Sequence, residues 1–375
     1  MKIVICGLSI TSSWGNGHAT TYRALSRALH ARGHQIVFFE RDFEWYASNR
    51  DMPEPPFCKV HIYEQWHDVV RLLRRELASA DVAVVGSFFP DGVPAINEML
   101  ESPAAVKAFY DIDTPITLSK LRAGDPEYLQ PHQIPSFDLY FSFTGGPKLR
   151  ELERDFGARR AVPLYCSFDP ERYGLRDSDS RYRCDLSYMG TYAPDRQAQI
   201  EELLCEPARR RPGHIFIVAG PQYPMRIEWP ENVRRIIHIE PKFHPPFYCS
   251  SRFTLNLTRK EMVEAGYSPS VRLFEAAGCG ATIISDSWEG LETFFVPQQE
   301  ILLPGSAEDV ISYLDNIGEA ESRAIGRRAQ DRVLAEHSAH KRAIQFEEFV
   351  GSNGSFDLRA SLKEAIEQTV TGLTC

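Results

Sequence analysis

Three groups of residues in this chain have types and spacing that can do chemistry: a histidine behind two glycines, an aspartate pair, and an arginine three positions ahead of a glutamate. In Gly15-x-Gly17-His18 the glycines let backbone N–H groups approach a charged ligand. An imidazole that titrates near neutrality can take a proton from a hydroxyl, or can simply bond local backbone at the start of a helix. Asp111-x-Asp113 has the spacing of a pair that holds a divalent metal on a diphosphate, but Thr114-Pro115 directly after it suits a helix start. Asp113 therefore reads as an acceptor-side general base or as the N-cap of a helix opening at Thr114-Pro115, with Asp111 beside it as a sugar or acceptor ligand. Arg272 and Glu275 share one helical face. Ser268, Pro269 and Ser270 before them suit a helix start whose unpaired N–H groups hold an anion. The alternative for Arg272 and Glu275 is a plain surface ion pair.

The elements that must position these residues alternate regularly. A β-branched run from Lys2 to Ser9, a helix after His18 and a second strand from Gln35 to Glu40 make a βαβ unit. Strands follow at Asp81–Gly86, Ala105–Tyr110, Phe137–Phe143 and Ala161–Tyr165, with helical periodicity between them, so the order predicts a doubly wound α/β domain. Gly15-x-Gly17 followed by Glu40 invites a dinucleotide reading. The third glycine position is Thr20, the loop is long for the tight turn, and His18 stands where a pyrophosphate must approach backbone, which places a nicotinamide or flavin enzyme third among the alternatives. Trp45 and Tyr46 lie in an aromatic, charged loop that can shape an acceptor pocket or pack at a sheet edge.

The same order repeats from Cys184. A strand ends at Gly190, small enough for close approach of a diphosphate, with Thr191 as a donor and Arg196 as a counter-charge. Further strands end at Gly220-Pro221, at Ile239 and at Arg259, the last another candidate phosphate ligand. Asp286, in the turn after the Ala281 strand, can bind sugar hydroxyls or cap the next helix. The expected organisation is a first domain over 1–167, a polar linker over 168–183, a second domain over 184–350, and a tail with a helix over 351–375 that can cross back to the first domain.

The run SPSVRLFEAAGCGATIISDSWEGLETFF, Ser268 to Phe295, resembles the C-terminal signature of glycosyltransferases of the GT-B fold, in particular the family related to the spore maturation protein CgeB. The resemblance covers nearly the whole chain. It implies two Rossmann-like domains facing a central cleft, with a nucleotide sugar on the second, Glu275 on the ribose, and the base near Gly220 and Pro221. It also implies that Gly15, Gly17 and His18 lie near the sugar diphosphate or acceptor. Retaining relatives carry a further glutamate eight positions before the ribose one; Tyr267 stands there in this chain, so the stereochemical outcome does not carry over. The expected activity is metal-independent sugar transfer with no cofactor beyond the donor. A nucleotide-sugar epimerase and a non-catalytic nucleotide-sugar sensor are the alternatives.

Composition narrows the partners. A formal charge of -9 over 375 residues argues against general affinity for nucleic acid or acidic membranes. Eight scattered cysteines without a CxxC pair fit a reducing cytoplasm. No run reads as a signal peptide or a transmembrane helix. His238 and His244 lack cysteine partners, so no metal site is expected.

Overall fold

The computed structural model describes residues 1–352 except Asn16 and divides into two α/β units. The first holds Met1–Tyr165 together with residues 340–352; the second is Cys166–Ala339.

The first unit is built on seven strands: β1 (Lys2–Cys6), β2 (Gln35–Arg41), β3 (Lys59–Tyr63), β4 (Val82–Gly86), β5 (Val106–Asp111), β6 (Leu139–Ser142) and β7 (Ala161–Pro163). They pair in parallel in the order β3-β2-β1-β4-β5-β6-β7. Central strands such as Val82-Ala-Val-Val are buried on both faces, as a parallel sheet covered by helices requires. Strand order reverses between β1 and β4, and ligands of open α/β sheets bind outside the carboxyl ends at such a point. The edge strand β3 escapes a periodicity reading because its residues Lys59 and His61 are polar.

The second unit repeats the plan with β8 (Cys184–Met189), β9 (Phe216–Ala219), β10 (Val233–Ile236), β11 (Ser251–Asn256) and β12 (Thr282–Ser285). Their order is β10-β9-β8-β11-β12, all parallel, so the reversal falls between β8 and β11. Leu186, Phe216, Val218, Phe253, Leu255 and Ile284 form its core.

The boundaries differ from the sequence expectation in two places. The polar interval 168–183 is part of the second unit rather than a free linker. Phe168 is fully buried there, so close beneath Gly278 that a Cβ at that glycine would lie 2.6 Å from its ring. Tyr173 and Tyr182 are buried as well. Charged neighbours masked these three anchors. The second unit also ends at Ala339 rather than at residue 350, because the helix Ala339–Gly351 belongs to the first unit from His340 on. Phe346 stacks on Phe141 at 5.3 Å, and Glu347 takes a forked bond from Arg32 (2.6 Å to each oxygen) and a contact from His34 (2.8 Å). The expected terminal helix beyond residue 352 lies outside the described residues.

Candidate active site

In the second unit the exits of β8, β9, β11 and β12 converge. Gly190 follows β8, and its N–H donates to the Ala219 carbonyl at 2.9 Å. Gly220, at φ +140°, presses onto it: a Cβ there would fall 2.0 Å from the Gly190 oxygen. Tyr192 N–H donates to the Pro221 carbonyl at 3.1 Å, closing the two loops together. Gly190 in turn leaves room for Arg272, whose Nη2 would lie 2.8 Å from a Cβ at that position.

Arg272 sits in the first turn of the helix Val271–Gly278. Its guanidinium lies over the Tyr188 ring (5.2 Å to the centroid) and donates to Asn256 Oδ1 at 3.1 Å and the Leu257 carbonyl at 3.4 Å. Ser270 Oγ donates to the same Asn256 oxygen at 2.9 Å. Arg196, on the helix Pro194–Ile200, is only 8% exposed. One of its nitrogens donates to the Thr191 carbonyl at 2.7 Å, while its Nε is buried without a hydrogen-bond partner. Burial lowers the Arg196 pKa, the charges of Arg272 and Arg259 lower it further, and Tyr188 and Asp195 oppose them. Among the described residues none of these three arginines forms an ion pair. A buried guanidinium beside two like charges leaves one N–H unanswered, an arrangement that an anion would complement.

Two expected ligands of this region are engaged elsewhere. Asp286 accepts from Thr258 N–H and Oγ1 (3.0 Å each) and from Ser285 Oγ (3.2 Å), tying the exits of β11 and β12 together. Its carboxyl is buried and its pKa raised by that burial, so it serves the loop frame rather than facing outward as a sugar ligand. Glu275 is 6% exposed, and burial pushes its pKa up to about 7 against a hydrogen bond from Tyr173 and the charges of Arg272 and Arg172. It forms no ion pair with Arg272, so the surface-pair alternative is set aside. Tyr248, whose buried hydroxyl has no partner, lies close enough for Glu275 to raise its pKa. Ser268 is buried. Just before it Tyr267 takes φ +46°, costly for an aromatic residue, with its ring held against Gly290, where a Cβ would come within 2.3 Å of it.

In the first unit His18 opens the helix His18–Ala31, with Gly17 as its N-cap and Gly15 at φ +67° in the loop before it. His18 Nε2 lies 2.8 Å from Asp113 Oδ2, and its Nδ1 is buried without a partner. Asp113 precedes the helix Thr114–Ala123, yet its side chain makes no capping bond. Its carboxylate goes to His18 and accepts a long bond from Ser87 Oγ (3.4 Å). Phe88, at φ +57°, sets its ring edge-on to the imidazole at 5.9 Å. Asp111 is turned inward, contrary to its reading as an acceptor or sugar ligand. Fully buried, it accepts from Tyr140 (2.6 Å), Thr117 (2.7 Å) and the Asp113 N–H (3.2 Å), and burial raises its pKa to about 7. It anchors the segment that presents Asp113.

Sequence reasoning missed Tyr188, Tyr173 and Phe88. Tyr188 lies within a strand run that reads as core, Tyr173 within the polar interval, and Phe88 has only its left-handed backbone to mark it. Among the described residues no group of three or more His, Cys, Asp or Glu is placed to hold a metal, and no helix is long and apolar enough to cross a membrane.

The fold is that of the GT-B glycosyltransferases, with two parallel sheets of seven and five strands. Residues 196–348 match the family model described as glycosyl transferase-like. Sucrose-phosphate synthase from Thermosynechococcus elongatus shares the fold at TM-score 0.66 and 13% identity, over 93% of this chain and 98% of that one. Anabaena HepE in complex with UDP and glucose aligns at TM-score 0.67 and 13% identity, over 94% of this chain and all of its own (100%). An alpha-glucosyltransferase in complex with UDP aligns at TM-score 0.69 and 11% identity, over 94% and 100%. No curated protein matches the chain in sequence.

Proposed function

We propose that this protein transfers a sugar from a nucleotide-activated donor to an acceptor hydroxyl without a metal ion. The observation that carries the reading is the Arg196, Arg259 and Arg272 cluster at the strand exits of the second unit, with the Arg196 Nε buried and unanswered. As the bond between the anomeric carbon and the diphosphate oxygen breaks, negative charge grows on the leaving diphosphate. The fixed guanidiniums and the N–H groups at the start of the helix Val271–Gly278 stabilise that charge with little reorganisation. Solved structures of the same fold that hold UDP support a nucleoside diphosphate as the leaving group. The likeness of Ser268–Phe295 to proteins related to CgeB supports that subfamily, and it alone assigns Glu275 to the ribose. That contact requires the Tyr173 hydroxyl to yield its place.

His18 serves the acceptor. With the Nε2 proton directed to Asp113, Nδ1 carries the free lone pair and takes the acceptor proton, and the carboxylate stabilises the imidazolium that results. The test is thermal stabilisation of the protein against a panel of nucleotide sugars and free nucleoside diphosphates, repeated with Arg196→Ala and Arg272→Ala. A ligand at about a hundred times its dissociation constant adds roughly 2.7 kcal/mol. A shift with one nucleotide that both substitutions abolish supports the donor site. No shift with any nucleotide overturns it, and turnover of the donor to an epimer without acceptor replaces the transferase with an epimerase.

A further inference from the structure

In the first unit, three large apolar side chains are exposed among the described residues, and two are tryptophans on the loops that leave β1 and β2: Trp14 at 48% and Trp45 at 49%. Trp14 stands four positions before His18. Trp45 is backed by a stack. Its ring lies on Phe43 at 4.6 Å and 8°, and the Arg41 guanidinium lies over Phe43 at 5.6 Å and is held by Asp91 at 3.3 Å. The indole is thereby presented to solvent instead of folding onto the sheet.

The two loops are also fastened to each other. The buried Glu40 carboxylate at the end of β2 accepts from the Ile10 N–H (2.6 Å), the Thr11 N–H (2.9 Å), Thr11 Oγ1 (2.6 Å) and Ser9 Oγ (3.1 Å). Ser13 donates twice to Asp51 (2.9 Å each), and Arg23, on the helix that begins with His18, grips the same carboxylate with two bonds of 2.8 Å. Arg50 bridges Thr11 (3.2 Å) and Asp42 (2.5 Å). His18, Trp14 and Trp45 therefore stand on one cross-braced frame.

Resting on the proposed transferase reading, we infer that Trp14 and Trp45 form the acceptor platform and that the acceptor is itself a saccharide. The π-faces of indoles are negative. The polarised C–H bonds on one face of a pyranose ring dock on such a surface, while its equatorial hydroxyls reach polar side chains of the same two loops. The formal charge of -9 disfavours an anionic lipid surface. Two separate half-exposed indoles fall short of the area that a stable protein partner needs.

The test uses the full chain with saturating nucleoside diphosphate and follows tryptophan emission on adding maltose-, cellulose- and chitin-derived oligosaccharides, an unstructured Ser/Thr peptide, and phosphatidylglycerol vesicles. An oligosaccharide that shifts emission and binds about tenfold more weakly to Trp45→Ala supports the proposal. Trp45→Phe must recover part of the affinity, and both variants must keep the wild-type thermal shift with nucleotide, which shows them folded. Equal oligosaccharide binding by wild type and Trp45→Ala, no oligosaccharide binding at all, or a response only to peptide or vesicles overturns it. In each of those cases an intact nucleotide shift leaves the transferase reading standing; a missing one removes both.

Discussion

His18 Nε2 and Asp113 Oδ2 lie 2.8 Å apart although one leaves the first strand of the sheet and the other the fifth. Only the adjacency of β1, β4 and β5 in strand order brings them together, and it leaves the opposite ring nitrogen unpartnered. A positioned base contributes typically 10²–10⁴-fold to rate, so His18→Ala is expected to lower kcat by roughly that factor. Asp113→Asn keeps a hydrogen bond but not the charge that stabilises the imidazolium, and should lose less. The nucleotide thermal shift should be unchanged in both, because the proposed donor site is in the other unit. Initial rates with the donor found by the thermal panel measure this; a His18→Ala enzyme with wild-type kcat removes His18 from the mechanism.

The arginine cluster makes an opposite-signed pair of expectations. In the absence of ligand, Arg196 is a buried cation held near two others, so Arg196→Met should leave the apo protein at least as stable as wild type. Nucleotide should then add little, since a hydrogen bond to a charged group contributes about 1.5–3 kcal/mol. Arg272→Lys should not restore binding, because an ammonium cannot both span Asn256 and the Leu257 carbonyl and keep a flat face on Tyr188. Melting temperatures with and without nucleotide decide each point. Strong destabilisation of apo Arg196→Met would show that the arginine is structural.

Much of the frame was legible because parallel strands buried on both faces are continuous apolar runs that end in glycine or small polar residues. That pattern located Gly190, Gly220 and Asp113 at strand exits. What sequence could not show was direction. Asp111 ends β5 and Asp113 lies two residues beyond it, and only the departure from extended backbone there and the Tyr140 and Thr117 hydroxyls send one inward and the other to His18. Arg272 and Glu275 share a helix, yet they diverge toward Tyr188 and Tyr173. The second unit's lower boundary was hidden for a compositional reason: Phe168, Tyr173 and Tyr182 are buried anchors in a stretch otherwise rich in charge.

The close approach of Gly220 to Gly190 yields a stability prediction. Gly220→Ala puts a Cβ 2.0 Å from a carbonyl oxygen at φ +140°, where backbone and not a flexible side chain must move. The cost should exceed about 1 kcal/mol, which for a domain of this size is a fall in melting temperature of roughly 2–4 °C or more. Gly213→Ala, with nothing within 4 Å of the added carbon, is the control and should shift little. Equal melting temperatures for the two variants would show that the loops after β8 and β9 are not pressed together.

Glu275 and Asp111 make a pH-dependent contribution of defined sign. Burial raises the folded-state pKa of each to about 7, above the ordinary values of 4.5 and 3.8. Between those limits the folded state holds a proton that the unfolded state has released, so each group lowers stability as pH rises toward 7 and adds no further slope beyond it. His34, His61 and His244 have pKa values lowered mainly by burial and contribute slopes of opposite sign over part of the same window. The diagnostic is therefore a difference: Glu275→Gln and Asp111→Asn, each compared with wild type by urea unfolding at pH 5 and pH 8. Each substitution should improve relative to wild type on going from pH 5 to pH 8, because it removes a carboxyl that must ionise in an apolar site. A difference that is the same at both pH values would mean that the carboxyl titrates alike in the folded and unfolded chain, and so is solvated in the native protein.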